Sequence, residues 1–323
     1  KLNSRTILVT RSAQKMDSVP LIPYLLRKYE EAKIYEDPRT KDWPLLEGSP
    51  VPVWIITVIY LLFVYLGPKW MKNRNPYSLQ TFMIVYNLSL VGLSVYMFVE
   101  ILLSTNVVGY PWLCAPYNQN TWKDPREMRV ANVLWWFFIS KAIELLDTVL
   151  MILRKKNGQV TFLHVFHHAS ILNIWWFVIT FLPGGQSYFG ACLNCLVHVV
   201  MYSYYGLSVI PSLREKLWWK RHITNFQLIQ FCITLSHTLQ SYFTGCDFPL
   251  WGHYLLCGYM IFMLTLFGNF YFHAYIMKKN AKREAKRRDE MSNGFHSKEL
   301  ESNGVVKEYA QNGLADGHLR QRP

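Results

Sequence analysis

The amino-acid sequence predicts an all-α, polytopic membrane protein with seven transmembrane helices. Of its 323 residues, 51% are hydrophobic and only 17% are charged, whereas about 25% of residues are charged in a typical soluble domain. Residues 51–275 hold long apolar runs such as VPVWIITVIYLLFVYL, and a helix crosses the hydrocarbon core with ~20 mostly apolar residues. We therefore divide the chain into an N-terminal segment (1–49), a transmembrane domain (50–276) and a basic C-terminal tail (277–323).

Seven apolar stretches are separated from one another by helix breakers or by charged loops. Gly67-Pro68, Asn157-Gly158 and Pro183-Gly184-Gly185 are such breaks, because glycine and proline interrupt regular helices. The predicted spans are Val51–Leu66, Leu79–Leu103, Val130–Leu153, Val160–Leu182, Ser187–Ile210, Ile223–Phe243 and Leu250–Tyr275.

Basic residues in the short loops predict the orientation in the membrane. Lys and Arg follow the first, third and fifth spans, and the tail begins with seven basic residues between Lys278 and Arg288. Because short loops rich in Lys and Arg stay on the cytosolic side, the N-terminus is predicted to be lumenal and the C-terminus cytosolic. The same placement explains the net charge of +13, so this charge does not predict nucleic-acid binding.

The segments outside the spans carry two further expectations. Four of the six cysteines lie within spans, whereas Cys114 and Cys246 lie in loops on the predicted lumenal side. Disulfides persist in that compartment, so we predict a Cys114–Cys246 bridge. Residues 277–323 mix charged residues with Asn and Gly without apolar periodicity, and a segment of this composition is predicted to be disordered.

Three charged residues share the third predicted span. Lys141 and Glu144 lie on one face of a helix with Thr148, and Asp147 lies at its edge. A charged group at a helix centre costs ~2.5–3.5 kcal/mol on insertion scales. Such residues in a membrane segment favour a functional site, although an ion pair that joins two helices is the structural alternative.

The fourth span carries a histidine cluster. His164, His167 and His168 occupy positions i, i+3 and i+4, so they share one helix face. Three imidazoles at this spacing in a membrane helix indicate acid–base chemistry or metal ligation. Asp147 and His167 lie ~9 and ~10 Å from the cytosolic ends of their spans at 1.5 Å per residue, so the two polar clusters are predicted to be level.

Polar residues also line one face of each of the next two spans. Asn194, His198, Met201 and Tyr205 repeat at steps of four, three and four, and Thr224, Gln227 and Gln230 follow at steps of three. All of these clusters fall in the predicted cytosolic half. The sequence therefore predicts a cytosol-facing pocket for a substrate with a polar head and a lipid tail, and we interpret the isolated His237, His253 and His273 as structural.

Four ordered motifs contain these residues: KxxExxDT (141–148), HVFHH (164–168), NxxxHxxMYxYY (194–205) and TxxQxxQ (224–230). With DPRTKDWPL, which begins at Asp37, they resemble the very-long-chain fatty acid elongases over roughly Asp37–His273. The runs HASILNIWWF and GGQSYFG are most similar to elongases that act on polyunsaturated chains.

The resemblance implies a multi-pass 3-oxoacyl-CoA synthase of the endoplasmic reticulum membrane, whose helices enclose an acyl tunnel. Such an acyltransferase condenses a long, here polyunsaturated, acyl-CoA with malonyl-CoA and releases carbon dioxide and CoA. The resemblance also implies that the protein lies in membrane lipid, that the reductases and dehydratase of the elongation cycle are its partners, and that it binds no cofactor or metal. A homodimer stays an open alternative.

Decarboxylative condensation needs an acyl acceptor, stabilisation of an enolate and an oxyanion site. We expect a ping-pong route in which His167, or His198 facing it, takes the acyl group from CoA, while His164 and His168 position the thioester. Carboxylates can orient imidazoles and make them more basic. The predicted catalytic residues are thus His164, His167, His168, His198, Asp147, Glu144 and Asn194.

Residues near the predicted cytosolic mouth carry the charge and polarity that CoA requires. Cationic side chains bind phosphates well, although these charges could equally serve only to orient the protein in the membrane. The predicted substrate-binding residues are Lys141, Arg154, Lys156, Gln159, Tyr204, Lys220, Thr224 and Gln227.

Two other functions fit parts of the pattern. HxxHH is also an iron-binding histidine box of membrane di-iron desaturases and hydroxylases. Those enzymes have three such boxes, whereas this chain has one. A seven-helix receptor would match the topology, yet its polar site should lie in the outer half. Iron content and acyl-CoA turnover would distinguish these alternatives.

Overall fold

A computed structural model describes residues 30–118 and 121–289, together with residues 23, 27 and 291. These residues contain no strand, which confirms the all-α prediction. The longer helices are α1 (Val51–Met71), α2 (Gln80–Val108), α3 (Glu127–Glu144), α4 (Leu146–Leu153), α5 (Phe162–Phe181), α6 (Ser187–Ser208), α7 (Lys220–Phe243) and α8 (Leu250–Tyr271).

Among the described residues, four helices are long and apolar enough to cross a membrane. They are α1, α2, α5 and the helical stretch from Leu250 to Asp289. The other three predicted spans are also helical, as α3–α4, α6 and α7, and they carry three of the four polar motifs. The chain is therefore a helical membrane protein, and the count of seven crossings stays a prediction.

Three span boundaries differ from the prediction. Helix α1 continues through Gly67-Pro68, and Gly67 is a point of close approach to α4, since a Cβ there would lie 3.0 Å from Ile152 Cγ2. Helix α2 continues to Val108 and ends at Gly109, whose φ of 87° is a conformation that favours glycine. The third span is interrupted at Leu145, where the hydroxyl of Tyr86 donates to the freed Ile143 carbonyl at 3.3 Å.

The helix connections gather at two ends. At the first, which we call the basic end, Tyr77 N donates to Leu153 O at 3.0 Å and Lys155 Nζ donates to Lys72 O at 3.1 Å. At the second, the disulfide end, Cys114 is joined to Cys246 and Tyr117 N donates to Asp247 O at 2.8 Å. The Cys114–Cys246 bridge is thus confirmed.

The main core lies where α3 packs against α2, α5 and α6. Large side chains such as Phe137, Phe138, Trp176 and Ile101 are almost fully buried there. Helix α6 packs along α2 on one side and α7 on the other, and α1 packs against α4 and α5. This packing brings the polar faces of α3, α5 and α6 together.

The DPRT segment ties the N-terminal region to the disulfide end. Asp37 N donates to Thr180 O at 2.9 Å, and the buried Asp37 carboxylate pairs with Arg39 at 2.7 Å. The hydroxyl of Tyr117 donates to the same carboxylate. Burial, and next the Asp37 charge, raise the pKa of Tyr117, so its proton stays in place and holds the loop against residues 37–40.

Removing the disulfide is expected to destabilise the protein. The bridge closes a loop with a sequence separation of 132 residues, and loss of a native disulfide typically costs about 2–5 kcal/mol. We expect the Cys114→Ala/Cys246→Ala variant to unfold at a lower temperature in detergent and to lose the sensitivity of the wild type to reductant. Cys232→Ala is the control, since Cys232 is an exposed free cysteine; equal unfolding temperatures for all three proteins would contradict the expectation.

The last helix extends beyond the predicted span. A π-helical segment, Phe272–Met277, follows α8, and residues 278–289 are helical. The described residues up to Leu264 form one compact unit, and those from Thr265 form a second. Residues 277–289 are thus helical where the sequence predicted a disordered tail, because basic residues such as Lys and Arg tolerate a helix well even without an apolar face. The rest of that tail, residue 290 and residues 292–323, lies outside the described residues.

Candidate active site

The centre of the site is a buried network between α3 and α6. Glu144 Oε1 accepts from Lys141 Nζ at 2.8 Å and lies 3.3 Å from His198 Nδ1. Lys141 Nζ also donates to Asn194 Oδ1 at 3.0 Å, and Ser140 Oγ donates to Glu144 at 3.2 Å. Lys141 and Glu144 are only 1% and 2% exposed, so each charge depends on the other for its stabilisation.

A second set of contacts joins α4 to α5. Thr148 Oγ1 lies 2.8 Å from His164 Nε2 and 3.0 Å from the hydroxyl of Tyr60. The hydroxyl of Tyr202 donates to Asp147 at 2.8 Å. The KxxExxDT and HVFHH motifs therefore meet at one depth, as their distances from the span ends predicted.

The three histidines of α5 have different surroundings. The rings of His164 and His168 are 4.4 Å apart, and those of His167 and His168 are 5.5 Å apart. His168 is buried. His167 Nδ1 lies 3.5 Å from the hydroxyl of Tyr259, which also contacts Ser170 Oγ at 3.1 Å. His167 is thus the member of the cluster that faces α8.

A cavity begins at His167 and runs to the disulfide end. It has about 940 Å³ of empty space, part of it open to the surroundings, and lies mainly between α5, α6, α7 and α8. His167, Asn194 and Gln230 line it near the polar network, whereas Leu182, Gln186 and other residues at the disulfide end line its far part. Along α5, His167 and Leu182 are separated by about 22 Å at 1.5 Å per residue.

Two helix faces give the cavity its chemical character. The face of α5 is apolar and consists of Ile171, Ile174, Trp175, Val178 and Leu182, at helical spacing. Aliphatic and aromatic residues of α8 continue this wall. An elongated, mainly apolar cavity of this kind can accommodate a lipid chain.

The predicted CoA-binding residues are divided by the structure. Arg154, Lys156 and Gln159 lie in the α4–α5 connection and Lys220 begins α7, all at the basic end. Thr224 is buried, Gln227 Nε2 lies 3.7 Å from Met201 Sδ, and Tyr204 packs beside Trp219. Lys141 is not at a mouth: it is buried against Glu144 and Asn194, because its helix face points into the bundle.

Several contacting residues carry no signal in the sequence. Tyr259 is one aromatic residue in an apolar helix, 92 residues from His167. Tyr60 and Tyr86 are similar cases in α1 and α2. Of the tyrosines that contact the polar clusters, Tyr202 alone lies within one of the four sequence motifs. Within the described residues, no group of three or more His, Cys, Asp or Glu side chains is arranged to hold a metal ion.

Comparison with known families agrees with this geometry. Residues 45–283 match the ELO family, described as the GNS1/SUR4 family. The chain belongs to the ELO family. This match contains all four motifs and every helix from α1 to α8.

Individual relatives cover most of the chain. Very long chain fatty acid elongase 4 of Mus musculus is 44% identical over 272 residues, which are 84% of this chain and 83% of that protein. Very long chain fatty acid elongase 2 of Mus musculus is 45% identical over 276 residues (85% and 92%). Very long chain fatty acid elongase 5 of Homo sapiens is 44% identical over 287 residues (88% and 93%).

Proposed function

We propose that this protein elongates polyunsaturated acyl-CoA through an acyl-histidine intermediate on His167. As a member of the ELO family, the chain is a condensing enzyme of fatty acid elongation that uses acyl-CoA and malonyl-CoA. The single observation that carries the proposed mechanism is the cavity, which begins at His167 and Asn194 and continues as a long apolar space.

The cavity favours His167 over His198 as the acyl carrier. His167 lines the cavity, whereas His198 is directed to Glu144 with Nδ1 3.3 Å from its carboxylate. The contact of His167 Nδ1 with Tyr259 at 3.5 Å orients the ring. Because the partner of one ring nitrogen sets the state of the other, Nε2 of His167 is the nucleophile in this mechanism.

The proposed reaction has two steps, transfer of the acyl group to His167 and condensation with malonyl-CoA. His167 Nε2 attacks the thioester carbonyl, the C–S bond breaks, and CoA leaves as a thiolate that takes up a proton. Malonyl-CoA next loses carbon dioxide, and the resulting enolate carbon attacks the acyl-imidazole. The C–N bond breaks and returns its electron pair to His167, so the imidazole is regenerated and 3-oxoacyl-CoA is released.

Asn194 is suited to stabilise the oxyanion of both steps. Lys141 has only donors, so its bond to Asn194 Oδ1 fixes that oxygen and leaves the Nδ2 amide group as a donor. Preorganised donors of this kind stabilise developing negative charge. Glu144 holds Lys141 in place and orients His198, and Asp147 is held by Tyr202 beside the histidine cluster.

The proposed substrate is a polyunsaturated acyl-CoA with its CoA at the basic end. Resemblance of HASILNIWWF and GGQSYFG to elongases of polyunsaturated chains supports the chain type. Arg154, Lys156 and Lys220 supply cations for the CoA phosphates. We further propose the endoplasmic reticulum membrane as location, seven crossings with a lumenal N-terminus and cytosolic C-terminus, and the reductases and dehydratase of the cycle as partners.

The test uses purified full-length protein and one substrate at a time. Polyunsaturated acyl-CoA alone is expected to release CoA and to add the mass of one acyl group to the intact protein before malonyl-CoA is present. A saturated acyl-CoA of equal length is expected to react more slowly. Condensation that occurs only when both substrates are present, with no adduct and no early CoA release, would disprove the acyl-histidine route; equal rates for both chains would disprove the substrate preference.

A side chain placed at Gly190 is expected to shorten the accepted chain. Gly190 lines the cavity, and a Cβ there would lie 3.4 Å from Thr234 Cγ2, an ordinary contact. Gly190→Leu therefore projects new atoms into the cavity without a clash in the helix. We expect the turnover of acyl chains long enough to pass this position to fall about tenfold or more, which is the effect of one methylene group that a hydrophobic pocket cannot accommodate. Shorter chains should keep their rate.

Gly92→Leu is the matched control for this substitution. Gly92 also lies within a helix, and nothing lies within 4 Å of a Cβ added there. Its chain-length profile should equal that of the wild type in a product analysis by mass spectrometry. An unchanged profile for Gly190→Leu would show that the acyl chain does not occupy this cavity.

A further inference from the structure

The far end of the cavity carries a cluster of polar side chains, unlike the apolar wall that α5 forms. Gln186, Ser241 and His253 line the cavity at the disulfide end and are 6%, 0% and 2% exposed. Gln186 Nε2 donates to Ser241 Oγ at 2.7 Å, and Ser241 Oγ lies 3.0 Å from His253 Nε2. A terminal methyl group of an ordinary acyl chain would find no apolar partner in this network.

The hydrogen bonds of this network leave two buried polar atoms without a partner among the described residues, Gln186 Oε1 and His253 Nδ1. Gln186 Nε2 also donates to Leu113 O at 3.0 Å, so both amide hydrogens have acceptors. Ser241 Oγ accepts from Gln186, and the direction of its 3.0 Å contact with His253 Nε2 is set by the tautomer of the imidazole. Gln186 Oε1, in contrast, is buried without a partner among the described residues. A buried acceptor without a partner is destabilising, so a donor group in the cavity would satisfy it.

A line of polar side chains leads to this acceptor. Gln230, Thr234, Thr238 and Ser241 follow one another on α7 at steps of four, four and three, and all line the cavity. Opposite them stands the apolar face of α5. One wall thus tolerates a polar group that passes along the cavity, and the other binds methylene groups.

We propose that the far end of the cavity binds a hydroxyl group at the ω-terminus of the acyl chain, so that ω-hydroxyacyl-CoA is a substrate. This inference rests on the proposed function, in which the chain occupies the cavity. The substrate hydroxyl donates to Gln186 Oε1 and satisfies the orphaned acceptor. An ω-carboxylate is excluded, because no Lys or Arg among the described residues lines the cavity and a buried carboxylate would have no cation.

The experiment compares three series of acyl-CoA substrates, unsubstituted, ω-hydroxylated and ω-carboxylated, over a range of chain lengths. Purified full-length protein is supplied with malonyl-CoA and the initial rates are measured. At the length that reaches the far end, kcat/KM for the hydroxylated chain is expected to exceed that for the unsubstituted chain about tenfold, since a site built to bind a hydroxyl rejects the analogue that lacks it. At shorter chain lengths kcat/KM should be higher for the unsubstituted chain than for the hydroxylated one. The ω-carboxylated chain should have a low kcat/KM at every length.

Substitutions at the far end of the cavity test whether Gln186 and Ser241 cause the preference for the ω-hydroxylated chain. Gln186→Met and Ser241→Ala are each expected to abolish the preference for the hydroxylated chain, measured as the ratio of the two kcat/KM values within one variant. Gln240→Met is the matched control, because Gln240 is at the same end of α7 but does not line the cavity. It should keep the ratio of the wild type.

The outcomes separate this inference from the proposed function. Elongation of unsubstituted chains together with rejection of the hydroxylated chain at every length would overturn the inference alone. A preference that survives in both Gln186→Met and Ser241→Ala would also overturn it. Failure to elongate any chain would overturn the proposed function and, with it, this inference.

Discussion

His167→Ala is expected to abolish the acyl adduct and to lower kcat/KM by a factor on the order of 10³ or more. The variant removes the proposed nucleophile, which lines the cavity, and positioned acid–base or nucleophilic groups commonly contribute rate factors of this size. His167 is partly buried and contacts Tyr259 at 3.5 Å. Intact-protein mass, free CoA and steady-state rates measure the effect.

Two further histidine variants make this result specific. His198→Ala should lower the rate of condensation while the half-reaction still yields an adduct, because His198 contacts Glu144 and does not line the cavity. His222→Ala should behave as wild type, since His222 is exposed near the start of α7. An adduct that persists in His167→Ala and disappears in His198→Ala would assign the acyl carrier to His198 instead.

Lys141→Met is expected to lower the free energy of unfolding by about 3–5 kcal/mol, the usual cost of breaking a buried ion pair from one side. The substitution leaves the Glu144 carboxylate buried with Ser140 and His198 as its remaining neighbours. It also frees Asn194 Oδ1, which Lys141 now fixes. Thermal or denaturant unfolding of the detergent-solubilised protein measures the loss.

The double variant Lys141→Met/Glu144→Leu is the matched control. Replacing both charges with apolar side chains of similar size is often close to neutral, so the double variant should be more stable than Lys141→Met alone. It should nevertheless be inactive, because Asn194 and His198 lose the groups that orient them. A double variant less stable than Lys141→Met would show that the pair is not coupled as the contacts indicate.

Helical periodicity and residue depth along the spans predicted the positions of the polar clusters. The spacing of His164, His167 and His168 predicted a shared face, and their ring distances confirm it. Counting residues from the span ends placed the carboxylate and histidine clusters at one level, and the Thr148–His164 contact at 2.8 Å agrees. These predictions succeeded because helix geometry relates sequence separation to position within about a turn.

The predicted position of Lys141 at the cytosolic mouth is wrong, because periodicity does not determine contacts between helices. Periodicity gives the face on which a side chain lies but does not give its partner, and a lysine can extend towards a surface or pair inside. Packing of α3 against α6 brings Glu144 and Asn194 to its ammonium group. Tyr259 and Gln186 are further cases, since their roles arise from neighbours far away in sequence.

By itself the sequence determined the helical membrane fold, the family, the Cys114–Cys246 pairing and the residue types of the site, because these follow from composition, helical period and local motif. The tertiary structure alone decided which nitrogen and oxygen atoms meet, that His167 and not His198 faces the cavity, and that the cavity ends at Gln186. The physical reason is that hydrogen bonds and cavities depend on contacts between helices, and helix–helix register is set by the packing of whole side-chain faces.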